Sequence, residues 1–218
     1  MPVVAELTGA MRVRGYSAHR LDLNRAWVFA ALLAANFLTS TCRADDGIWS
    51  ETLYAGPATN RFALHLFLHG NPDIDGAMVG LASDFKLAKL PWGLTLEGEG
   101  QLTQYTLGHN YETVALGVGL RFHNFPWSDR RPASFAIYTG PSYATNPPAS
   151  GFDFDNRLVG FQRKHLLNYL SIEYAMALSR ASPWDITFRA YHRSGVFGVY
   201  TPAADEGTMF GFGIRRRW

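Results

Sequence analysis

His192-Arg193-Ser194, followed twelve residues after the serine by Glu206, assembles the residue types of nucleophilic ester hydrolysis: a hydroxyl, an imidazole and a carboxylate. An ester carbonyl is attacked by an oxygen whose proton a base must take, and a third group must hold that base in the right tautomer. In Asp185 to Ser194 the even positions are apolar (Ile186, Phe188, Ala190) until His192. From Glu206 to Ile214 the even positions again carry the bulky apolar side chains Phe210, Phe212 and Ile214. Alternate residues of a strand leave opposite faces. The three groups therefore share the apolar side of two strands, which suits a substrate that is itself a lipid.

Two more features of that hairpin bear on chemistry. If Ser194 pairs across from Glu206, the groups lie within roughly 5–8 Å between Cβ atoms. The run Trp184 to Ser194, at about 3.3 Å per residue and a tilt near 40°, would span an apolar band and leave Ser194 at its outer rim, level with head groups and ester linkages.

The rest of the chain supplies the strands that would position this hairpin. Charged residues are only 17% against 14% aromatics, and that mix with 21 glycines favours strands and tight turns over helices. Alternating runs of about ten residues recur over 61–69, 77–87, 92–102, 113–122, 133–143 and 169–178, and the hairpin adds the seventh and eighth. The cleanest run sets Val114, Leu116, Val118, Leu120 and Phe122 against Ala115, Gly117, Gly119 and Arg121. The polar faces together carry Asp84, Glu97, Glu99 and Glu173 against Arg121 and Arg189. The expected fold is all-β, an eight-stranded antiparallel up-and-down transmembrane β-barrel with its apolar face toward lipid and a salt-bridged interior. A soluble lipocalin-like barrel, apolar inside, is the competing architecture.

The N-terminus favours the membrane. Arg12, Arg14, Arg20 and Arg25 precede the apolar run Ala26 to Leu38, and Cys42-Arg43-Ala44 then leads into Asp45-Asp46. A basic segment, a short apolar run and a small residue at the cut form an export signal, and the run is too short to span a bilayer as a helix. The expected division is a signal peptide over 1–44, an N-terminal segment over 45–60 and the barrel domain over 61–218. Met11 is a second candidate start. Residues 1–44 hold five Arg and two acids, so the remainder, with 15 basic and 16 acidic residues, is near neutral and offers nothing for nucleic acid. Cys42 is the only cysteine and is lost on cleavage after Ala44, which excludes disulfides. Long connections (70–76, 103–112, 144–168, 195–205) would face outside and shorter ones (88–91, 123–132, 179–183) the periplasm. Arg157, Arg163, Lys164 and His165 in the longest loop are candidates to meet lipid phosphates, but an ordinary solvated loop is the preferred reading. His65, His69, His109, His123 and His165 show no ligand spacing, so no metal or other cofactor is expected. Arg215-Arg216-Arg217 beside Trp218 is expected to anchor the periplasmic rim, and Trp218 after alternating Phe210, Phe212 and Ile214 is similar to the terminal strand signal of outer-membrane barrels.

At His192, Ser194 and Glu206 the chain resembles the lipid A 3-O-deacylases (PagL-like, acyloxyacyl hydrolase-type barrels) of Gram-negative outer membranes. These are eight-stranded barrels with a His-x-Ser motif near the end of the chain and a Glu further along. The resemblance is close over the last hairpin and loose elsewhere. It implies Ser194 as nucleophile, His192 as base, Glu206 as orienting acid, lipid A of lipopolysaccharide as substrate, and an outer-membrane location; a homodimer is compatible with it. In one respect the chain departs: the family has Asn after the Ser and Gly two residues further on, where this chain has Gly195 and Phe197. The oxyanion then falls to backbone N–H groups such as that of Gly195. The alternative is a non-catalytic small barrel with a structural or adhesion role. A pore is disfavoured, since eight strands leave room only for side chains.

Overall fold

The structure, a computed structural model, describes residues 47–59, 74–106, 110–146, 150–152, 158–160, 165–195 and 205–218. Ten strands run through them: β1 (Trp49–Thr59), β2 (Ile74–Leu90), β3 (Leu94–Thr106), β4 (Tyr111–Phe122), β5 (Ala133–Ala144), β6 (Ser150–Phe152), β7 (Leu158–Gly160), β8 (Leu166–Ala177), β9 (Trp184–Ser194) and β10 (Asp205–Arg217). Eight of them close into an antiparallel barrel in the order β1-β10-β9-β8-β5-β4-β3-β2, while β6 and β7 pair with each other inside the connection between β5 and β8. Closure is made by β1 against β10, from Ser50↔Arg217 to Thr59↔Thr208. It removes the open sheet edge that a bilayer would not tolerate.

The first barrel strand differs from the sequence expectation. Trp49–Thr59 fills the place assigned to an N-terminal segment; the run 61–69 lies outside the described residues. Within β1, Pro57 and Glu51 break the apolar pattern that made 61–69 look cleaner, so its membership rests on the register with β2 and β10 rather than on periodicity. The other seven strands lie where alternation predicts, with ends extended by a few residues. β2 turns into β3 through Pro91–Gly93, where both Trp92 (φ 61) and Gly93 (φ 72) take the left-handed conformation of a tight hairpin.

The polarity is that of a membrane barrel. Leu116 is 64% exposed and Phe212 67%, while Arg121 and Glu173 are at 1% and 0%. Apolar side chains face outward along the strands and the charges face inward, the reverse of a soluble barrel. The chain is therefore an outer-membrane β-barrel. The end carrying Pro91–Gly93 and the connections 123–132 and 178–183 is the one expected in the periplasm, and β9 runs from it to Ser194 at the opposite, outer end.

Charges taken out of water must be paired, and these are. Arg121 reaches Glu97 (2.8 Å), Glu173 (2.9 Å) and Asp84 (3.3 Å). Arg189 reaches Glu99 (2.6 Å) and Glu173 (2.8 Å). Tyr138 donates its hydroxyl to Glu97 and accepts from Arg121. The four carboxylates and two arginines expected on the polar face all enter this network. It also takes in two residues that were expected elsewhere or not singled out: Arg215 binds Glu173 (3.1 Å) and Asp185 (2.9 Å). Arg215 is thus an interior residue and not part of a rim anchor. It has the parity of Gly211 and Gly213, which face inward between the outward Phe212 and Ile214. Only Arg216 of the triplet behaves as an anchor, its guanidinium lying over the rings of Trp218 (3.7 Å) and Trp184 (5.2 Å). Arg217 is half-buried and bonds Asp185. Toward the outside the interior changes character. Tyr105, Tyr111, Tyr169, Tyr191 and Met209 fill it, with Tyr105 stacked on Tyr111 and Tyr169 on Tyr191.

Candidate active site

The outer end of β9 alternates cleanly. Arg189, Tyr191 and Arg193 are buried in the barrel, and His192 and Ser194 leave the outer face half-buried. They stand two residues apart, about 6.6 Å along the strand. Below them on the same face Phe188 stacks on Phe210 (6.1 Å between ring centroids) and meets Phe212 at 5.2 Å. Both residues thus stand just above an aromatic, lipid-facing surface, as the sequence predicts.

Register decides what surrounds them. His192 lies opposite Leu170 on β8 and Thr208 on β10; Ser194 lies opposite Asn168 and Asp205. The expected pairing of Ser194 with Glu206 is not the one observed. Between the pairs Asp205↔Ser194 and Thr208↔His192, β10 advances three residues while β9 advances two. The extra residue makes a bulge at Glu206-Gly207, a device that kinks a strand and re-aims its side chains. The backbone of Glu206 therefore lies beside the His192–Ser194 segment; its side chain lies outside the described residues.

Thr208, which sequence reasoning passed over, sits in the site. Its Oγ1 is 3.2 Å from His192 Nδ1. It is 1% exposed although its parity is that of outward-facing Phe210 and Phe212. A signal existed: Thr208 is the one polar residue among the even positions between Glu206 and Ile214.

The strand end is fixed from inside by Arg193, between the two site residues in sequence. Its Nε donates to Ser142 Oγ (2.6 Å), and Nη2 donates to the carbonyls of Ser142 (3.3 Å) and His165 (3.0 Å). These groups belong to β5 and to the residue preceding β8, so one guanidinium ties three outer strand ends together. Of the loop residues considered for lipid phosphates, Arg157, Arg163 and Lys164 lie outside the described residues, and His165 bonds the Ala144 carbonyl through Nδ1 and stacks on Tyr143.

An oxyanion would need donors near Ser194. Asn168, opposite Ser194, gives its amide to Thr139 Oγ1 (3.0 Å) and the Tyr169 carbonyl (2.9 Å). Gly195 follows directly, a buried residue at the strand end without a side chain to crowd an approaching carbonyl. Among the described residues no group of His, Cys, Asp or Glu has metal-binding geometry.

A cavity of about 270 Å³ lies at the opposite end of the barrel, lined among others by Asp84, Glu97, Arg121, His123 and Arg215. His123 bonds Thr95 there (3.1 Å). Burial, aided by the Arg121 charge, lowers its pKa to about 4.

A scan against family models finds no match, and neither does a search of curated proteins. Eight chains of solved structures match. The outer membrane enzyme PagL aligns with a TM-score of 0.53 at 11% identity, over 78% of this chain and 99% of that one. Neisserial surface protein A gives 0.41 at 10% identity, over 78% and 95%. The Yersinia pestis outer membrane protein Ail gives 0.39 at 11% identity, over 79% and 100%. At these identities the PagL alignment speaks for the fold alone, and the other two carry no further argument.

Proposed function

We propose that this barrel is an esterase that removes an ester-linked acyl chain, at the 3-O position, from lipid A. One observation carries the reading: a hydroxyl and an imidazole, Ser194 and His192, share the lipid-facing side of β9 at its outer end, directly above Phe188, Phe210 and Phe212. Polar groups facing hydrocarbon are costly and are retained where they function. A substrate that stays in the outer leaflet meets this face without leaving the membrane, and its acyl chain can run along the phenylalanines. The likeness of the fold to the enzyme PagL and the family resemblance at His192, Ser194 and Glu206 support the same reading.

In this mechanism Ser194 Oγ attacks the ester carbonyl while His192 takes its proton, and Glu206 steadies the resulting imidazolium. The tetrahedral oxyanion is held by backbone N–H groups such as that of Gly195. His192 returns the proton to the departing sugar hydroxyl, leaving an acyl-serine. Water, deprotonated by the same imidazole, attacks the acyl-serine; the fatty acid leaves and His192 returns the proton to Ser194 Oγ. No metal enters, so chelators are expected to leave the rate unchanged. A fluorophosphonate probe tests the nucleophile: it should label the barrel on the peptide carrying Ser194, and Ser194→Ala and His192→Ala should both abolish labelling. Labelling of another serine would overturn the assignment of Ser194, and none by a folded parent would favour the non-catalytic barrel.

A further inference from the structure

We propose that Thr208 is a positioning residue for this reaction, its hydroxyl holding the His192 imidazole in the tautomer that presents Nε2 to Ser194. The inference rests on the esterase reading and adds a residue to it. A neutral imidazole carries one N–H, and the bond made by one ring nitrogen decides which. For His192 to take a proton through Nε2, Nδ1 must carry the hydrogen and must point at an acceptor. Thr208 Oγ1 stands 3.2 Å from Nδ1.

Three features make Thr208 a fixed acceptor rather than a passing one. It lies opposite His192 in the β9–β10 ladder, so the contact is set by backbone register. A β-branched side chain has a restricted χ1, which keeps the oxygen in place. At 1% exposure it faces little competition from water. The bulge between Asp205 and Thr208 leaves that pairing intact. Without the extra residue, Ser194 and Glu206 would pair directly and the strand would continue straight. With it, β10 still brings Thr208 level with His192 while Glu206-Gly207 are displaced from the regular ladder. A hydroxyl also suits both halves of the cycle, since it accepts from Nδ1–H of the neutral ring and of the imidazolium alike. Charge stabilisation stays with Glu206, and orientation falls to Thr208.

The test uses the full barrel, labelled with ¹⁵N-histidine, in lipid nanodiscs, with the His192 ring signals identified by their loss in His192→Gln. The neutral ring of the parent should show Nδ1 protonated and Nε2 unprotonated. Thr208→Val keeps the shape and removes the oxygen; Thr208→Ala serves if valine impairs folding, checked by the mobility of the unheated barrel on a gel. Either should move His192 toward the other tautomer. Either should also lower kcat for release of an acyl chain from lipid A by about 10–100-fold with little change in KM. Thr208→Ser should restore both. Unchanged ring signals and rate in folded Thr208→Val would overturn the inference, and if Ser194→Ala is inactive beside it, the esterase reading stands. A folded parent that releases no acyl chain overturns that reading, and Thr208 then has no reaction to position.

Discussion

The barrel interior and the outer end of β9 both place polar side chains inside the membrane, and they treat them oppositely. Inside, saturation rules: Glu173 receives Arg121, Arg189 and Arg215 from three strands, and Arg121 is shared among Glu97, Glu173 and Asp84. On the outer face His192 and Ser194 are set against phenylalanines, with the Thr208 hydroxyl at Nδ1. Multiple pairing offsets the desolvation of buried charges and leaves them no capacity for chemistry. A hydroxyl and an imidazole at the rim cost less there, because depth sets the penalty. The same contrast separates stability from activity, and variants can break it from either side.

The largest effect on stability is expected at the interior hub. Glu173→Gln faces three arginines with a neutral amide and should destabilise the barrel by about 3–5 kcal/mol in denaturant unfolding in lipid. Activity should then fall only in proportion to the folded fraction. Leu116→Arg, on the lipid face, should cost roughly 2–4 kcal/mol by the same measurement; no loss would reverse the assigned polarity. Arg193→Met cuts the tie to Ser142 and His165 and should cost about 1.5–3 kcal/mol. Its distinguishing sign is faster amide exchange confined to the outer ends of β5, β8 and β9.

The smallest effect is one of pH. His123 is held neutral by burial and by Arg121, its pKa lowered to about 4. A histidine depressed in the folded state contributes stability above its unfolded pKa of about 6.5 and loses it as pH falls toward about 4. Unfolding followed between pH 7 and 4 should therefore be less pH-dependent in His123→Gln than in the parent.

Much of this was open to reading in the chain, and the exceptions share a cause. β4 could be read directly, because Val114, Leu116, Val118 and Leu120 alternate without a break and all four face lipid. The interior pairing of Arg121 and Arg189 followed from parity alone. Arg215 was legible by the same rule, since it follows outward Ile214 by one residue, but three adjacent arginines beside a terminal Trp suggest an anchor more strongly than parity suggests an ion pair. β1 was hidden because Glu51 and Pro57 interrupt its outer face, and its place depends on pairing with β10 across most of the chain. The bulge was hidden for a more basic reason: a period of two specifies faces but not register. Nothing in the alternation distinguishes Asp205 from Glu206 as the partner of Ser194, or shows that Thr208 comes level with His192.

Within the proposed site the effects on activity should rank in the order of the roles. His192→Ala should abolish turnover, Glu206→Ala should lower it less, and Gly195→Asn should preserve or raise it if a side-chain donor is what the oxyanion lacks. The most direct measurement is mass spectrometry of lipid A incubated with the parent barrel and with Ser194→Ala, both shown to be folded. The parent should yield lipid A lighter by one ester-linked acyl chain, and Ser194→Ala should lose at least about 10³-fold in that rate while unfolding within about 0.5 kcal/mol of the parent. Lipid A left intact by the parent, or deacylated as fast by Ser194→Ala, would contradict the account.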